Sequence, residues 1–103
     1  MDIPKHLSAE AQSIWSEIER AFVLGPEHGI LLRTALEAWD SMQSARTIVA
    51  EEGETFTGES GVIHLHPILR VLKESRAGFL QAWRQLGLDI TPPEDSGIGA
   101  IHG

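Results

Sequence analysis

From Ile30 to Glu52 the chain contains neither glycine nor proline, and Leu31, Ala35, Ala38, Trp39, Met42, Ala45 and Val49 recur along it at the spacing of one helical face. Gly25-Pro26 stands before this stretch and Gly53 directly after it, so the pattern predicts one helix over about 27–52. At 1.5 Å per residue, a helix of some two dozen residues is roughly 36 Å long. A small domain cannot readily cover a stripe of that length, so part of it is expected to pack on a second subunit. Everything else in the chain has to be arranged around this rod.

Ser8 precedes Ala11, Ile14, Trp15, Ile18 and Phe22, again a single helical face. Ser8 suits the N-cap, and Glu10 places a negative charge in the first turn, where the helix dipole favours it. A first helix over about 8–24 follows, closed by Gly25-Pro26. After Gly53, the short β-branched and aromatic runs Glu54–Thr57 and Val62–Leu65 flank Gly58-Glu59-Ser60-Gly61, which predicts a small hairpin over about 54–65. Two strands alone are marginal, so the hairpin should lie on helices or on a partner. Pro67 fits the first turn of a third helix and Gly87 its stop, giving about 67–86. The fold class is therefore mainly α: three principal helices with a hairpin between the second and third. Residues 1–88 read as one helical domain, and 89–103, rich in Pro and Gly and without periodicity, as a disordered tail.

With 103 residues the chain can build one core but buries little surface per residue, which favours association with copies of itself. Cysteine is absent, which removes disulfides, thiolate metal sites and cysteine nucleophiles. No apolar run approaches the roughly 20 residues of a membrane span, and the first residues lack a signal-peptide layout; the expectation is a soluble intracellular protein without a membrane partner.

The net charge of −7 speaks against a polyanionic partner until its distribution is considered. Residues 1–66 carry four Lys/Arg against eleven Asp/Glu, residues 67–88 four against one, and residues 89–103 none against three. The basic segment coincides with the third helix. Ile68, Leu72, Ser75, Phe79, Trp83 and Leu86 form its apolar face, while Arg70, Lys73 and Arg84 fall within about 60° of one another on nearly the opposite side, with Arg76 bordering the apolar face. Such a stripe is either a solvated face or a phosphate-binding one. Trp15, Trp39 and Trp83 sit on the apolar stripes of three different helices; together with Met42 and Phe79 they are expected in a core or an oligomer interface.

Catalysis finds little support. No Ser-His-Asp or paired-carboxylate arrangement stands out, and the glycines between Gly53 and Gly61 lack the Gly-Lys-Ser/Thr of a phosphate loop. His64-x-His66 would place two imidazoles on one strand face, within reach of zinc if Glu54 or Glu59 joined them, but shaping the entry into the third helix is the stronger reading of His66-Pro67. The chain is expected to be no enzyme and to use no metal or cofactor.

Several elements in fixed order resemble a phage terminase small-subunit family. They are Pro4-Lys5-His6-Leu7-Ser8-x-Glu10-Ala11-x-x-x-Trp15, Ile30-Leu31-Leu32 through Ala38-Trp39, Gly53-Glu54-Thr55-Phe56 with Gly61, and His66-Pro67 followed by Ser75-Arg76-x-x-Phe79 and Leu86-Gly87-Leu88. The resemblance implies a ring-type homo-oligomer in the cytoplasm of the host bacterium. The ring would recognise double-stranded viral DNA and regulate the large terminase subunit, which holds the ATPase and nuclease. Arg70, Lys73, Arg76 and Arg84, with Lys5 as an addition, would then contact DNA. Related members continue after Leu-Gly-Leu into a basic stretch, whereas Asp89, Glu94 and Asp95 follow here, which favours contact of the tail with the large subunit over contact with DNA. The competing reading is an acidic helical adaptor that binds only protein.

Overall fold

The computed structural model describes residues 2–88 together with 92 and 93. Its elements run α1 (Ala9–Ala21), α2 (Pro26–Glu52), β1 (Thr55–Thr57), β2 (Ile63–Leu65) and α3 (Ile68–Leu86). The expected tail at 89–103 lies outside the described residues, apart from the two prolines.

Helix α1 starts as the sequence requires. Ser8 has extended backbone, and its Oγ accepts a hydrogen bond from the Ala11 N–H at 3.1 Å. The helix closes at Ala21, three residues before the expected end, because Phe22 turns to an extended conformation and both Phe22 and Leu24 fold back against the core. Pro26 is more than a breaker: it occupies the first turn of α2, where its missing N–H costs nothing. Helix α2 ends where Gly53 adopts φ +83° and ψ 173°, a backbone region open essentially to glycine alone.

The helices pack antiparallel about α2. Ser8 and His6, at the start of α1, meet Asp40 and Glu37 in the middle of α2, so α1 runs back along the first half of the rod. Helix α3 returns along its whole length: His66 meets Glu52, and the Ser75 hydroxyl meets that of Ser41 at 2.9 Å. The long stripe of α2 is thus largely covered within the chain, with Leu31, Ala38 and Val49 left half-buried. Gly29, Leu32, Ala35, Leu36, Trp39, Met42 and Ala45 are all buried. Leu32 and Leu36, outside the single stripe read from the sequence, are fully buried because α2 is clasped on two sides.

Trp15, Trp39, Met42, Phe79 and Trp83 all lie in this intrachain core, with the Phe79 and Trp83 rings 5.6 Å apart and tilted by 38°. Burial is concentrated at the end of the molecule where α1 joins the pair. The last fully buried residue of α2 is Ala45 and the first of α3 is Phe79, so the far half, toward the hairpin, is two layers of helix with a half-covered seam.

Asp40 fastens α1 to α2. Its carboxylate accepts from the Ser8 N–H at 2.8 Å through Oδ2 and from the Ser8 hydroxyl through Oδ1. Asp40→Ala leaves two part-buried donors without their acceptor and is expected to destabilise the fold by about 1–3 kcal/mol, read from thermal or urea unfolding.

Candidate nucleic-acid interface and its surroundings

The third helix presents its cations from a well-anchored base. Phe79, Ala82, Trp83 and Leu86 hold one face in the core, and the opposite face therefore points outward. Arg70, Lys73, Arg76 and Arg84 are all exposed. From Arg70 to Arg84 the helix rises about 21 Å, the length of some six nucleotides along one DNA strand. The only acidic residue of α3, Glu74, lies one turn beyond Arg70, with Oε1 3.3 Å from the Arg70 Nε. Both side chains are well exposed, so the pair weakly tethers Arg70 and leaves it accessible.

The four cations do not form one uniform stripe. Arg70 and Arg84 lie on the outermost line of the helix, whereas Arg76 sits toward α2, beside Arg46 in a groove of about 410 Å³. Lys73 stands on the rim between the two sets. Arg46 escaped sequence reasoning because it is a lone cation in an acidic segment, and only the antiparallel pairing of α2 with α3 brings it to this cluster.

The hairpin carries no comparable chemistry. Its register pairs Thr55 with Leu65, Phe56 with His64 and Thr57 with Ile63. A tight turn closes Glu59-Ser60-Gly61, with the Gly61 N–H donating to the Gly58 carbonyl, and Gly61 takes φ +82°, the left-handed position that three-residue hairpin loops require. His64 and His66 do share a face, but with Phe56 between them: the His64 ring stacks on Phe56 at 5.3 Å, and His66 meets the edge of the same ring. His66 Nδ1 accepts from the Ile68 N–H at 3.1 Å and thereby caps α3, while Nε2 lies 2.8 Å from Glu52 Oε1, which assigns the ring proton to Nε2. Among the described residues no group of three His, Asp or Glu side chains is placed to hold a metal ion. Of the two supports expected for the hairpin, helices or a partner, the chain's own helices do not supply one: both strands are exposed along their length.

Fold and surface together define a small, mainly helical protein: a helical clasp bearing one outward cationic helix on an otherwise acidic chain. The family described as phage terminase, small subunit, matches residues 9–96, and the chain belongs to that family. Its role accordingly lies in phage DNA packaging. No curated protein and no solved structure matches the chain. No helix among the described residues is long and apolar enough to cross a membrane.

Proposed function

We propose that the chain acts as the DNA-recognising, non-catalytic partner of a large terminase subunit, binding duplex viral DNA through α3 and regulating the ATPase and nuclease of that subunit in the host cytoplasm. The observation that carries this reading is the outward face of α3. Arg70, Lys73 and Arg84 are exposed on one side of a helix whose other side is half-buried up to Ser75 and buried in the core from Phe79 to Leu86, and Arg76 flanks them. Three or four cations on one helix bind a duplex weakly. Several copies in a closed ring would repeat the face at fixed spacing, and linked weak contacts gain strongly by effective concentration. The acidic remainder of each copy would repel DNA from other routes.

The test is binding of a labelled DNA duplex by the parent and by the variant Arg70→Ala, Lys73→Ala, Arg84→Ala, with solution mass measured for both. Loss of binding at unchanged mass is the expected result. Equal binding at unchanged mass would remove α3 as the interface and favour an adaptor that meets only protein.

A further inference from the structure

The hairpin is firmly anchored at its base, yet none of the chain's helices covers it. His66 holds that base: its ring meets Glu52 at the end of α2, caps α3 through the Ile68 N–H and lies edge-on to Phe56, while its own N–H donates to the Glu54 carbonyl at 2.7 Å. At the other end the Gly58 N–H donates to the Val62 carbonyl, so the register makes 54 with 66, 56 with 64 and 58 with 62 the hydrogen-bonded pairs of the ladder. The pairs between them, Thr55 with Leu65 and Thr57 with Ile63, turn their N–H and C=O groups outward to the two edges of the ribbon. No backbone hydrogen bond joins these groups to any other described residue. The same four residues share one face, on which Ile63 and Leu65 are each 71 % exposed. Segment 51–66 carries Glu51, Glu52, Glu54 and Glu59 and no lysine or arginine.

We infer that the β2 edge of the hairpin receives an extended segment of a second, different protein: a strand with apolar residues at its centre and lysine or arginine at its ends. The inference rests on the reading of the chain as partner of a large terminase subunit and assigns the surface by which the two meet. The open backbone groups of Ile63 and Leu65 supply the hydrogen bonds of strand addition, and their side chains, about 7 Å apart along the strand, supply apolar contacts for alternate residues of the added segment. The carboxylates select the occupant. Glu59 stands at the turn and Glu51, Glu52 and Glu54 at the base, so an incoming strand meets negative charge at both ends. Duplex DNA is repelled there. The hairpin of a second copy brings the same carboxylates and no cation, which sets like charges side by side, and charge on an open edge is a common guard against self-pairing. Nor does the rest of a second copy offer a free basic surface. Arg70, Lys73 and Arg84 belong to the DNA-binding face, Arg46 and Arg76 have interactions within the chain, and Lys5, Arg20 and Arg33 lie apart in its acidic first part. One added strand is a weak contact; repetition around an assembly strengthens it by effective concentration.

The experiment measures binding of the full chain to purified large subunit by calorimetry, beside its solution mass and its affinity for a DNA duplex. Ile63→Pro removes one outward N–H and obstructs the edge, but takes none of the hairpin's own ladder bonds. It is expected to weaken large-subunit binding by about tenfold or more, with mass, helix content and duplex affinity at the parent values. Glu54→Gln with Glu59→Gln leaves the backbone intact; parent binding should weaken as salt rises, and this variant should bind less tightly and depend less on salt. The variant lacking Arg70, Lys73 and Arg84 should bind the large subunit as the parent does. Unchanged large-subunit binding by Ile63→Pro overturns the inference. A lower mass for that variant gives the edge to a second copy, and a loss of duplex affinity at parent mass gives it to DNA; either result overturns the inference as well. Should Ile63→Pro lose helix content, the glutamine variant decides, and parent-like affinity and salt dependence there overturn it. A parent that does not bind the large subunit at all would defeat the partner reading itself, and the inference with it.

Discussion

Phe79→Ala is expected to lower the stability of the fold by about 3–5 kcal/mol, the largest effect of any single truncation considered. The ring is 1 % exposed, tilts against Trp83 and belongs to the cluster in which α1, α2 and α3 meet. Its loss removes buried apolar area and leaves a cavity in the core. Against a typical total stability of 5–15 kcal/mol, that is a large share, and for a chain of this size each kcal/mol shifts the melting temperature by roughly 4–8 °C. The control is Val23→Ala at a fully exposed position, where a change within about 0.5 kcal/mol is expected. Both are compared at one protein concentration, because assembly couples stability to concentration. A Phe79→Ala melt within a few degrees of the parent would mean that the three helices do not share the core described.

Most of the fold was legible because its signals are local. Ser8, Gly25-Pro26, Gly53, Pro67 and Gly87 punctuate the chain by backbone chemistry, and the 3.6-residue periodicity between them tolerates no other reading. What failed was tertiary. A single stripe on α2 could not reveal that α1 and α3 clasp it from two sides, which is why Leu32 and Leu36 were missed. The same limit hid the Asp40 contact with Ser8, across thirty-two positions of sequence. At the site, the outward placement of Arg70, Lys73 and Arg84 follows from helix geometry alone. The company of Arg76 does not, since Arg46 reaches it only once α2 and α3 are packed. The hairpin was predicted in place, but its lack of a helix to rest on is invisible to any local pattern.

Replacing Arg70, Lys73 and Arg84 together is expected to weaken duplex binding by a thousandfold or more at moderate salt. Proteins that neutralise six to ten phosphates lose about 10³–10⁵ in affinity between 50 and 200 mM salt, which shows how much of such binding is electrostatic. Two adjacent copies, each presenting three of these cations, already fall in that range. Arg76→Ala alone should cost far less DNA affinity, since its side chain lies toward the groove and Arg46. The single substitution and the triple therefore separate the outward face from the groove.

The dependence of duplex affinity on salt tests the central claim most directly, because it counts the phosphates the protein neutralises. For the parent, log K plotted against log salt should fall steeply, with a slope near −0.9 for each phosphate engaged, and the triple variant should show a slope shallower by about three for every copy in contact. A parent slope near zero, or one that the triple substitution leaves unchanged at constant mass, would contradict the assignment of DNA binding to α3.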